Sequence, residues 1–178
     1  MVSKVLVEPA IEPVSLLQAK AWLRLDITAE DALVSQLIMT ARIRSEAVTR
    51  RAFISQSIRE IAKANPETGI VDLDVLPLQS ISEIAEIHAD GSEQILAAEA
   101  YVVDSDNGRV LLQQSHANTS YRLSYIAGYG DSAEDVPAPL KTAILLQVGW
   151  LFEHREEDGA TMPHAAQILL ANYTRVRL

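Results

Sequence analysis

Tyr125 to Glu157 reads YIAGYGDSAEDVPAPLKTAILLQVGWLFEHREE, an apolar strand, a glycine turn and then the longest clean helix pattern of the chain. Pro137 and Pro139 fit the start of that helix. Proline holds φ near the helical value and lacks an N–H that the first turn leaves unpaired anyway. Asp131, Glu134 and Asp135 stand just ahead of it, where carboxylates meet the positive pole of the helix dipole. Leu140, Ala143, Ile144, Gln147, Val148, Leu151 and Phe152 recur at helical spacing, so one broad face is apolar and needs cover. Gly159 is the expected residue just past the helix end.

Upstream, Ser15 and Gln18 form a capping-box pattern, and Leu16, Ala19, Trp22 and Leu23 give a short amphipathic helix to about Arg24. Thr28 is the expected cap of the next helix, from Ala29 to about Arg51. Its buried rows are Leu33, Leu37 and Ala41 with Val34, Ile38, Ser45 and Val48. The far side is expected to carry Arg42, Arg44, Arg50 and Arg51, a solvated basic face or a contact for an acidic partner.

The middle of the chain changes period. Gln56 to Ala64, Ile70 to Leu73, Ile81 to His88, Tyr101 to Asp104, Arg109 to Gln113 and Tyr121 to Ala127 read as short strands between turn residues. Asp90-Gly91 and Asn107-Gly108 accept positive φ and favour hairpins. One antiparallel sheet of five or six strands follows. Helices on both sides of it in sequence make the fold class α+β, with Pro163 opening a last short helix through Ala171.

At 178 residues the chain can bury the core of one domain, and a single domain over residues 1–178 is expected. Residues 1–13 read as an extended arm and 172–178 as a tail. No apolar run approaches the length of a membrane-spanning helix, and the N-terminal stretch lacks the apolar core of a secretory signal, so a soluble protein is expected. The absence of cysteine excludes disulfides and thiolate metal sites. A formal charge of −9 has the wrong sign for gripping nucleic acid by its phosphates.

Sites were sought by motif. His88, His116, His154 and His164 have no ligand spacing, so no metal is expected. Asp104-Ser105-Asp106-Asn107-Gly108 resembles the start of a calcium loop, but the glycine comes one place early and Ser115 stands where a bidentate glutamate belongs. Gly128-Tyr129-Gly130-Asp131 lacks the third glycine of a dinucleotide loop and the lysine of a phosphate loop. No nucleophile signature places a serine beside a base. No catalytic residue and no cofactor is expected. The alternatives are a small hydrolase with a site near Gly128 to Asp131 and Tyr125 or Tyr129, and a regulatory module that binds another protein through its helices.

Short motifs in a fixed order carry a further reading. They are Glu12-Pro13-Val14-Ser15, Ala19-Lys20-Ala21-Trp22-Leu23-Arg24-Leu25-Asp26, Asp31-Ala32-Leu33-Val34, Leu76-Pro77-Leu78-Gln79 and Tyr101-Val102-Val103-Asp104. Ala127-Gly128-Tyr129-Gly130-Asp131 follows, and then Val136-Pro137-Ala138-Pro139-Leu140-Lys141. In these the chain resembles the head-to-tail connector, or adaptor, family of long-tailed bacteriophages and gene transfer agents. The likeness runs from Glu12 to the end and is most specific from Gly128 to Glu157.

The resemblance implies a non-catalytic virion protein, assembled in the host bacterial cytoplasm. It implies a ring, twelvefold in such families, in the neck beneath the portal protein, joined to stopper or tail proteins. Genomic DNA would pass through the channel without sequence-specific binding, helped by the acidic charge, and no membrane would be involved. The tail from Asn172, with Tyr173, Arg175, Val176, Arg177 and Leu178, is the expected portal-docking peptide, since aromatic, aliphatic and arginine side chains concentrate binding energy at interfaces. Arg155, Glu156, Glu157, Arg50 and Arg51 are the expected subunit-interface residues. Acids crowding the negative pole of a helix favour a neighbour that supplies cations.

Overall fold

The computed structural model describes residues 2–114, 119–154 and 161–175, which form an α+β chain of two compact units. The first unit comprises Met1–Pro9 and Ser55–Tyr129, the second Ala10–Ile54 and Gly130–Leu178.

The first unit holds β1 (Val2–Val7), β2 (Gln56–Lys63), β3 (Ile70–Asp72), β4 (Leu78–Ile87), β5 (Glu93–Ile95), β6 (Tyr101–Asp104), β7 (Arg109–Leu112) and β8 (Ser120–Ala127). They make two antiparallel sheets, ordered β1-β2-β8-β4-β5 and β3-β7-β6, where the sequence pattern led to one. The short β3 and β6 pair only with β7, and a run of short strands does not reveal such a division. Alternation builds the core, because successive side chains point to opposite faces. Ile58, Glu60 and Ala62 on β2 and Tyr121, Leu123, Tyr125 and Ala127 on β8 are buried, while Arg59, Ile61 and Lys63 are exposed. The stretch read as an extended arm contains β1, which pairs with β2 from Val2↔Ile61 to Val7↔Ser57.

Gly91 and Gly108 supply the positive φ of the β4–β5 and β6–β7 hairpins, at 83° and 62°. Beside the first hairpin Arg122 of β8 bridges Glu83 of β4 and Glu93 of β5, each at 2.7 Å. The Arg122 hydrogen bond holds the Glu93 carboxyl below its ordinary value.

The second unit holds α1 (Leu16–Leu23), α2 (Asp31–Thr49), α3 (Ala138–Glu153) and α4 (His164–Ala171). Ser15 and Gln18 close the expected capping box. Thr28 does not cap α2: Glu30 takes that position without a capping bond from its side chain, and the Thr28 carbonyl accepts the Asp31 N–H in a preceding turn. Pro137 and Pro139 bracket the start of α3 as expected. That helix ends at Glu153 with His154 as C-cap, ahead of Gly159, which lies outside the described residues. Val34, Ile38 and Ala41 of α2 and Leu140, Ala143, Ile144 and Val148 of α3 form the core with Ala19, Phe53, Ala166 and Leu170. Among the described residues no helix is long and apolar enough to cross a membrane.

Candidate functional site

In the second unit, polar side chains fix the buried face of α2. Arg42 is 3% exposed, where the sequence pattern placed it on the solvated side of the helix. Its Nε donates to Glu12 at 2.9 Å and its Nη1 to Glu46 at 2.8 Å. Burial works against the Arg42 charge, but hydrogen bonds to and the charges of Glu12 and Glu46 outweigh it and lift its pKa above the ordinary value. Glu46 also accepts the Phe53 N–H at 2.7 Å, so one arginine ties the entry to α1, α2 itself and the chain leaving α2. Periodicity misses this because an arginine paired with two carboxylates occupies a core position that hydropathy assigns to water. One turn on, Gln147 of α3 donates to Ser45 of α2 at 2.7 Å, both fully buried.

One of the two basic residues at the end of α2 meets the tail. Arg50 is exposed and closes α2 in the left-handed conformation, φ 55°. Arg51 Nε donates to the Tyr173 carbonyl at 2.8 Å, bringing one expected interface residue and one expected docking residue together. The Tyr173 N–H donates to Leu170 O and the Thr174 hydroxyl to the same carbonyl, so this part of the tail continues the last turn of α4. Arg175 is half-buried. Arg155, Glu156, Glu157, Val176, Arg177 and Leu178 lie outside the described residues.

The turns that could have held a ligand are internally occupied. Asp135 accepts the Ser132 N–H, and a Cβ at Gly130 would overlap the Asp135 carboxylate, so this glycine makes room for an acid rather than for a phosphate. In the first unit, the Gly128 N–H donates to Pro77 O and its carbonyl accepts from Gln79. Asp104 accepts from the backbone and side-chain nitrogens of Asn107, which closes the calcium-like loop as a turn. Tyr125 donates to buried Glu60 at 2.9 Å, and the same oxygen of Glu60 accepts the Asp74 N–H. Burial first, and then the Glu60 charge, lift the Tyr125 hydroxyl far above its ordinary value. Among the described residues no three His, Asp or Glu side chains are placed to hold a metal.

What remains is surface. An open cleft of about 710 Å³ in the second unit is lined by Glu12, Val14, Leu17, Ile38, Glu134 and Lys141, among others. Beside it α1 presents Leu17 and Trp22, and α2 presents Met39 and Ile43 to solvent.

Comparison with solved structures follows the whole chain. A chain in the virion of a native gene transfer agent particle is 22% identical, with a TM-score of 0.82 over 100% of this chain and 97% of that one. The chain folds like a gene transfer agent particle protein. A chain in the neck of an empty gene transfer agent particle, obtained with C6 symmetry, is 23% identical at a TM-score of 0.81, again over 100% and 97%. One in the neck of the native particle, obtained with C12 symmetry, is 22% identical at 0.75 with the same coverage. No family model matches the chain, and no curated protein matches it by sequence.

Beside these gene transfer agent chains, the apolar residues on the outer sides of α1 and α2 become the features of interest. Met39 and Ile43 sit where reading α2 for its buried rows leaves only arginines. Their signal was present: Ala32, Gln36, Met39, Ile43 and Ala47 recur at helical spacing on the side opposite Val34, Ile38 and Ala41.

Proposed function

We propose that this chain is a structural protein of the neck of a phage or gene transfer agent particle, a head-to-tail connector that assembles as a closed ring between portal and tail or stopper proteins and carries out no catalysis. The observation that carries this is end-to-end agreement of fold, 100% of this chain with 97% of a gene transfer agent virion chain, joined to the ordered connector-like motifs of the sequence. The C12 symmetry of one similar neck supports a twelvefold ring. An acidic body of net charge −9 suits a channel wall past which DNA phosphates slide, since like charge keeps them from sticking.

In this reading the tail of Tyr173, Arg175, Val176, Arg177 and Leu178 docks on the portal. Arg50, Arg51, Arg155, Glu156 and Glu157 meet neighbouring subunits. Electron microscopy of the purified chain mixed with the portal of the same particle is the direct test. Rings seated on the portal are expected. A tight twofold dimer that persists with portal present would overturn the reading, because a closed ring needs two different complementary faces on each subunit.

A further inference from the structure

The first unit separates its charges. Between Lys63 and Arg122 the chain has ten acids and one cation, Arg109. The outer face of β1 and β2 is the reverse. Lys4 and Arg59 stand directly opposite each other in the β1–β2 register, Lys63 lies four residues along β2 on the same face, and all three are exposed. Glu60, the one acid within these two strands, is on the buried face. Among the described residues none of the three cations is in an ion pair. Arg59 acts by its charge on Glu93, which Arg122 already holds. Like charges directly opposite destabilise an antiparallel pair, a cost that an anionic neighbour would remove.

The company of these cations tells which class of neighbour fits. Val7 and Ile61, 62% and 46% exposed, flank the Lys4–Arg59 pair on the same face, and half-buried Ile126 of β8 stands opposite Ser57. Apolar side chains set among charges suit a protein surface, with its apolar centre and polar rim. Nucleic acid is met by more polar and more strongly basic faces.

The three-stranded sheet of the same unit carries a counterpart. On its outer face Val102 of β6 and Leu111 of β7 are direct partners, 54% and 43% exposed. The next row is Asp72, Arg109 and Asp104, two acids around one cation, with Arg109 joined to Asp72 at 2.8 Å. Glu83 and Glu93 are acids too, but they share the sheet face of Lys4 and Arg59 and are bridged by Arg122. A face that meets itself gives a twofold pair, whereas a ring needs two different faces.

We infer that the basic face of β1 and β2 in one copy packs on the Val102–Leu111 face of the three-stranded sheet in the next, with Lys4 and Arg59 meeting Asp72 and Asp104. The inference rests on the neck-ring reading above and assigns a subunit contact to it.

The absence of native cysteine makes a clean test possible. Ile61→Cys and Val102→Cys are prepared as separate full-length chains, assembled on the portal and treated with a short bis-maleimide crosslinker. Covalent dimers are expected in the mixture of the two variants and not with either alone. Dimers from one variant alone would mean a twofold contact and overturn the assignment. Rings visible by electron microscopy without crosslinks in the mixture would also overturn it while leaving the neck reading intact. No ring from the parent chain would defeat the neck reading and this contact with it. As a second arm, Lys4→Glu is expected to lower ring yield at least tenfold with a melting temperature equal to or above the parent's, because it replaces a like charge opposite Arg59 by an opposite one. Unchanged ring yield would count against the contact. A fluorescent DNA duplex is expected not to bind the parent chain; binding that Lys4→Glu abolishes would give this face to phosphates and overturn the assignment.

Discussion

Gln147 on α3 donates its amide to the hydroxyl of Ser45 on α2 at 2.7 Å, and the Ser45 hydroxyl in turn donates to the Ala41 carbonyl at 2.8 Å, all inside the helical core. The Gln147 carbonyl oxygen has no hydrogen-bond partner among the described residues. Removing Ser45 alone, as Ser45→Ala, withdraws an acceptor from a buried amide and should cost about 1–3 kcal/mol. Adding Gln147→Leu removes the remaining polar group, so the double variant should regain most of that loss. Urea midpoints of the single and double variants check this; a double variant weaker than Ser45→Ala would refute it.

Arg42 sits between two carboxylates in the same unit. Arg42→Met leaves Glu12 and Glu46 without their shared cation and should destabilise the fold by roughly 3–5 kcal/mol. Glu12→Gln, which keeps a hydrogen-bond acceptor, should cost clearly less. Chemical denaturation of both variants settles the order.

Tyr125 gives the alkaline limb of stability. In the unfolded chain a tyrosine ionises near about pH 10, whereas in the fold burial and Glu60 keep Tyr125 neutral beyond that. A folded-state pKa above the unfolded one means that the contribution is fully present below about pH 10 and is lost as pH rises further. Melting temperatures followed from about pH 8 to about pH 11 should fall more steeply for the parent than for Tyr125→Phe. Parallel curves would show that another group governs the loss.

The two hairpin glycines separate strain from crowding. Gly91 has φ 83° and nothing near a prospective Cβ, whereas at Gly108, φ 62°, a Cβ would overlap the Leu76 side chain. Gly91→Ala should therefore cost about 1–2 kcal/mol of backbone strain, and Gly108→Ala more. Thermal unfolding of the pair tests the ranking.

Ending the chain after Arg175 keeps the Arg51 bond to the Tyr173 carbonyl. The melting temperature should stay within about 1–2 °C of the parent, because that tie between the end of α2 and the end of α4 is retained. Portal binding should be lost if Val176, Arg177 and Leu178 dock there. Retained binding at parental affinity would remove those residues from the docking role.

The sequence carried the elements better than their arrangement. Pro137 and Pro139, the Ser15–Gln18 box and the alternation of β2 and β8 are local signals, and each element stands where they put it. β1 has no clean alternation, since a bulge shifts its register between Val5 and Val7, and its pairing with residues fifty or more positions later is not a local property. The division into two sheets was hidden for the same reason. Arg42 was misplaced because hydropathy treats every arginine as solvated, whereas its environment is set by Glu12, 30 positions away. Met39 and Ile43 were overlooked because a helix with one apolar face explained needs no second one until the solvent side is seen.

The two compact units interleave along the chain: residues 1–9 belong with 55–129, and 10–54 with 130–178. On the ribosome β1 must therefore wait for β2, and α2 must wait for α3, before either finds the neighbour it packs against. No single cut of the polypeptide yields one complete unit. A chain halted anywhere before Ala138 lacks α3, whose Leu140, Ala143, Ile144 and Val148 share the buried core with Val34, Ile38 and Ala41 of α2. Synthesis of α2 and closure of its core are thus separate events.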